Sequence, residues 1–127
     1  MVKIRKKSEL SVITNAKKLA NYVITITEKS PKKFRYSFVL KLHNLCIDLI
    51  ENLYLSNSIK LGDERRRDYQ LKSFTTLKLI DSISLMAYES KCILFKQYEL
   101  ISEKVYDCDR LLKTWVLSDD KRIGIKQ

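Results

Sequence analysis

Three features of the sequence predict an all-α protein folded as an up-down-up-down four-helix bundle. Glycine occurs twice and proline once in 127 residues, well below their average usage of about 7% and 5%. Sheets and loop-rich folds need turn residues far more often than that. Apolar residues recur at helical spacing over most of the length, in four stretches separated by short polar joints. A chain of this size forms one domain, residues 1–127, with its packed part from about 8 to 117 and loose basic ends.

The elements follow in order. Residues 1–7 (MVKIRKK) are a basic lead-in, and Ser8 or Ser11 can cap the first helix. Val12, Ala16, Leu19, Val23 and Ile26 step by fours and threes, which places them on one core-facing stripe. Thr25 and Thr27 are poor helix formers that predict a frayed end, and Ser30-Pro31 closes the segment. Pro31 suits the first turn of a second helix running to about Asn57. In that helix Phe38, Leu42, Leu45 and Leu49 form one stripe, and Val39, Cys46, Ile50 and Leu53 a second beside it. Leu40, Ile47 and Tyr54 lie further round, which is more apolar surface than one bundle seam needs and predicts burial by another subunit.

Ser56 to Gly62 reads as a loop, Asp63 as the cap of a third helix reaching about Ser90, and Glu64 as a favourable charge in its first turn. The first third of this helix is polar, and its core positions are predicted at Phe74, Leu77, Ile80, Ile83, Met86 and Ala87. A joint near Cys92 to Leu94 leads into the fourth helix. There Leu94, Tyr98, Ile101, Val105, Cys108, Leu112 and Trp115 keep the same alternation, and Ser118-Asp119-Asp120 is expected to end the element. Short joints between long helices favour antiparallel neighbours.

Chemistry is sparse. His43 is the only histidine and so the only imidazole base a nucleophilic triad could use, and no serine sits in a Gly-x-Ser-x-Gly elbow. A metal site would need carboxylates or cysteines beside it, and the di-iron pattern of paired Glu-x-x-His is absent. The two glycines are too far apart for a phosphate-cradling loop. Carboxylate pairs such as Asp107 with Asp109 and Glu99 with Glu103 read as solvated surface. The three cysteines (Cys46, Cys92, Cys108) are scattered among apolar residues, which predicts reduced core thiols. With no signal-peptide pattern and no long uncharged apolar run, the expectation is a cytoplasmic protein that has no catalytic residues, metal or cofactor.

Charge carries the functional signal. Lys and Arg total 25 against 15 acids, a net charge of +10. The excess is uneven: Lys29, Lys32, Lys33, Arg35 and Lys41 form a run without an acid, and Arg65, Arg66 and Arg67 are the densest guanidinium cluster. From Glu89 to Asp109 the balance reverses to −2. Such a surface suits nucleic acid, because guanidinium forks match phosphate oxygens and each neutralised phosphate releases counterions. The candidate contacts are Lys32, Lys33, Arg35, Arg65, Arg66, Arg67 and Lys72. A structural oligomer or protein-interaction module without direct nucleic-acid binding is the competing reading. Membrane-surface binding needs a free apolar face, and the faces here are assigned to the core.

Two stretches carry a family resemblance. PKKFRYSFVLKLHNLCIDLIENLYLSN resembles the second helix of the accessory variability determinants of diversity-generating retroelements, and KQYELISEKVYDCDRLLKTW resembles their fourth. The similarity extends from about Ser8 to Trp115, and ribosomal-RNA intervening-sequence proteins share the same bundle. It implies a homopentamer with a basic surface that binds a reverse transcriptase and its template RNA during mutagenic copying. The family often has glycines just before the tryptophan, where this chain has Lys113 and Thr114.

Overall fold

The computed structural model describes residues 9–124. Among them lie four α-helices and no strand: α1 Ser11–Thr27, α2 Leu40–Ser58, α3 Glu64–Glu89 and α4 Phe95–Arg122. The basic lead-in, the Ser8 cap and the last three residues lie outside the described residues. Helix α1 packs on α2 and α4, α2 on α3, and α3 on α4, so the four enclose one core. Leu19, Val23, Leu42, Leu49, Leu53, Leu77, Ile80, Ile101 and Leu112 are fully buried there, each contributing roughly 1.5–3 kcal/mol of transfer free energy. No helix among the described residues is long and apolar enough to cross a membrane.

Several expected boundaries shift, each for a physical reason. Helix α1 takes Leu10 as its N-cap with no side-chain bond, and Ser11 is its first residue rather than its cap. Its far end does not fray. Thr27 is buried, and its hydroxyl donates to the Val23 carbonyl oxygen at 2.7 Å while lying 2.7 Å from His43 Nε2. The second helical stretch does not begin as an α-helix at Pro31. The chain makes a 3₁₀ turn over Lys32–Phe34, then a π-helical turn over Arg35–Val39, and settles into α2 only at Leu40.

Asp63 caps α3 as its position predicts, its carboxylate accepting from the Arg65 backbone N–H at 2.9 Å. The joint after α3 needs no glycine because Lys91 takes the left-handed conformation at φ 67°. The Lys91 N–H then donates to the Tyr88 carbonyl at 2.9 Å and the Cys92 N–H to the Ala87 carbonyl at 2.8 Å, closing the helix end. Met86, expected in the core, is 50% exposed, and Leu94 is an exposed N-cap ahead of α4.

The largest correction is at the other end of α4. The helix runs through Ser118-Asp119-Asp120 to Arg122, and both aspartates are buried. Cations on α3 make that burial possible.

Candidate nucleic-acid interface

The two basic clusters lie at opposite ends of α2, whose 19 residues span roughly 28 Å at 1.5 Å per residue. Their surroundings differ sharply.

At the C-terminal end, the core stripe of α3 continues toward its N-terminus through Ser73, Gln70 and Arg66, all buried. Arg66 turns inward. Its Nε donates to Asp119 Oδ2 at 2.7 Å, and its Nη2 donates to Asp119 Oδ1 at 3.0 Å. Its Nη1 donates to the Ile59 carbonyl at 3.0 Å, and its guanidinium carbon lies 5.1 Å from the centre of the Trp115 ring. The side chains of Arg66 and Asp119 are only 10% and 4% exposed, so the pair is held away from water. Gln70 adds a 3.0 Å bond from Nε2 to Asp119 Oδ2, and the Ser56 hydroxyl donates to the Arg66 carbonyl at 2.8 Å.

The neighbouring arginines are also engaged. Arg67 hydrogen-bonds Asp120 and donates from Nε to Gln70 Oε1 at 3.1 Å. Arg65 stays in solvent but folds back onto Asp63, its Nη2 donating to Oδ2 at 2.8 Å. The side-chain and backbone hydrogen bonds from Arg65 hold the Asp63 carboxyl down at about 2. At Asp119 burial pushes the carboxyl up. Hydrogen bonds from Arg66 and Gln70 and the charges of Arg66 and Arg122 outweigh that, so the group titrates below the ordinary carboxylate value. Three arginines that look like a phosphate site in one dimension therefore face three aspartates in three.

The run before α2 is the reverse case. Lys29, Lys32, Lys33, Arg35 and Lys41 are all exposed. None of them forms an ion pair among the described residues. Lys33 Nζ rests over the Phe34 ring at 5.1 Å, a contact that leaves its charge uncompensated. An open groove of about 580 Å³ runs beside the irregular turns, lined by Thr27, Lys32, Arg35, Tyr36, Leu40 and His43, with the single carboxylate of Glu28 at its rim. The 2.7 Å contact between His43 Nε2 and the Thr27 hydroxyl, which also lies in reach of the Val23 carbonyl, ties the imidazole to the groove wall.

Lys72, the remaining candidate, is exposed with its Nζ 4.9 Å from the centre of the Tyr69 ring. It lines an open groove between α2 and α3 together with the acidic residues Asp48 and Glu51. Sequence reasoning missed Gln70, Asp119, Asp120 and Tyr36. Gln70 and Asp119 were signalled by stripe spacing: Trp115 plus four is Asp119, and Arg66, Gln70, Ser73, Leu77, Ile80, Ser84 and Ala87 step by fours and threes along α3.

The cysteines offer no reactive thiolate. All three are buried and free of disulfides; burial raises the Cys92 thiol and pushes the Cys46 and Cys108 thiols up to about 12. Among the described residues no group of His, Cys, Asp and Glu is arranged to hold a metal ion. In comparisons with known proteins, no family model and no curated sequence matches the chain.

Proposed function

We propose that the protein is a non-enzymatic nucleic-acid-binding accessory subunit of the cytoplasm. In this reading the chain folds as an up-down-up-down bundle. Two contact pairs support the antiparallel order. Glu9, just before α1, accepts from the Tyr54 hydroxyl late in α2 at 2.7 Å, while Thr27 at the end of α1 meets His43 early in α2. Likewise Arg66 meets Asp119, and Tyr88 stacks on Tyr98 with centroids 6.5 Å apart, at opposite ends of α3 and α4.

The observation that carries the function is the unpaired run from Lys29 to Lys41. Five exposed cations with no acid among them repel one another and gain most when phosphates displace their counterions. The resemblance to accessory variability determinants adds a reverse transcriptase and its template RNA as partners, and a homopentamer as the assembly. Exposed Leu40, Ile47 and Tyr54 on α2, with Leu71, Leu79 and Met86 on α3, support a subunit contact. They also favour the second reading, an interaction module whose partner is protein alone.

The test is equilibrium binding of labelled single-stranded RNA across a salt series. The proposal expects log affinity to fall linearly with log salt, by a slope of about 0.7 per contacted phosphate. Failure to bind at low salt would leave the interaction module as the surviving reading. Light scattering addresses the assembly, for which a monomer at micromolar concentration is the contrary result.

A further inference from the structure

We infer that the groove before α2 is a single-strand site in which Tyr36 stacks on a nucleobase while Lys32 and Arg35 hold the flanking phosphates. This rests on the nucleic-acid reading above and makes it specific.

The first observation is the exposure of the ring. Tyr36 is 82% exposed, the most exposed of the large apolar and aromatic side chains among the described residues. A ring this exposed buries little apolar area and so adds little to folding stability. The second is what holds it there. Phe34 and Phe38 pack against the core with ring centroids 5.9 Å apart, and Tyr36 falls between them in sequence. Tyr36 lies in a π-helical turn, where the Leu40 N–H reaches the Arg35 carbonyl five residues back, and it is exposed while Phe34 and Phe38 on either side of it are half-buried. Such π turns are rare and recur at functional sites.

The third observation is the charge on either side. Lys32 and Arg35 line the same groove as Tyr36, are exposed and have no carboxylate partner among the described residues. A flat ring flanked by unpaired cations fits a strand that offers both a base face and a phosphate. In a duplex the base faces are already stacked on one another, so the ring has nothing to cover. The stack is indifferent to base identity, because every base has a π-face.

The experiment uses the full chain and three probes of equal phosphate number: an oligothymidylate, the same strand made abasic, and a duplex. The wild type is expected to bind the oligothymidylate about 5- to 150-fold more tightly than the abasic strand, the range expected for one stacked base. Tyr36→Ala should bind both strands alike, at the abasic level, and bind the duplex as the wild type does. Tyr36→Phe should keep the preference, since the ring and not the hydroxyl stacks. Because Tyr36 is so exposed, its replacement should leave the helical spectrum and melting unchanged, which separates loss of stacking from loss of fold. Equal wild-type binding of the two strands, or a preference that survives in Tyr36→Ala, overturns the stacking site while leaving the phosphate contacts standing, and assigns the exposed ring to a protein partner. Binding of none of the three probes overturns this inference and the nucleic-acid reading together.

Discussion

The two ends of α2 show how little a cluster of like charges reveals until its partners are placed. Before α2, five cations lie in a stretch that contains no acid, and all five reach solvent without an ion pair among the described residues. Beyond its far end, Arg65, Arg66 and Arg67 are individually matched to Asp63, Asp119 and Asp120. Two of those aspartates come from more than fifty residues away, so no local count of charge could have neutralised the cluster. On the proposed reading, the first region is left free for binding while the second serves architecture. A buried Arg–Asp pair that is bidentate and further bonded by Gln70 and a backbone carbonyl fixes which turn of α4 faces which turn of α3.

The largest effect that would sharpen the contrast is on stability. Asp119→Ala leaves Arg66 buried without a counter-charge and is expected to cost about 3–5 kcal/mol in chemical denaturation. Arg66→Met combined with Asp119→Leu removes both charges at once and should recover most of that loss, because an apolar pair avoids the desolvation of two ions. If the double variant is no better than the single, the network contributes more than a matched pair. Next in size is binding. Replacing Lys32, Lys33 and Arg35 together by Ala is expected to weaken polyanion affinity by about 10- to 100-fold near 0.1 M salt. Melting should stay unchanged, since these side chains are exposed and unpaired.

A smaller effect follows pH. The Asp119 carboxyl titrates below its ordinary value, so the stabilisation from the pair is complete at neutral pH, above an unfolded value of about 3.9. It is lost as pH falls through the depressed folded value. The stability gap between wild type and Asp119→Asn should therefore be constant from neutral pH to mildly acidic pH and narrow below about pH 4. A gap that instead closes near neutrality would mean the carboxyl is not held ionised by Arg66. The smallest expected effect is on Arg65→Ala, whose guanidinium is already occupied by Asp63 at the surface. Its polyanion affinity should match wild type.

Much of the fold was legible because periodicity survives translation into space. The stripe from Val12 to Val23 and that from Ile101 to Trp115 are buried as their spacing requires. The polar half of α3 was not legible as core, although Arg66, Gln70 and Ser73 keep the same phase as Leu77 and Ile80. Reading polarity as exposure hid the stripe, and the same assumption ended α4 at Asp119 and Asp120, one turn after Trp115. The irregular start of the second stretch was hidden for another reason. Pro31 suits the first turn of an α-helix, and nothing local forbids one there. The aromatic pair Phe34–Phe38 packs against the core with the chain wound in 3₁₀ and π turns, and tertiary contact decides over propensity. For the candidate interface, the cations before α2 were readable because their isolation from acids is local. The pairing of the arginines depends on contacts across the fold.

The central claim is that the unpaired cluster contacts phosphate and the paired one does not. The salt dependence of oligonucleotide affinity tests it most directly, measured on Lys32→Ala/Lys33→Ala/Arg35→Ala and on Arg65→Ala/Arg67→Ala. The first variant should lose about 0.7–0.9 of slope on the log–log plot for every phosphate contact removed, and the second should keep the wild-type slope. Equal losses in the two variants, or a loss confined to the arginine pair, would contradict the account.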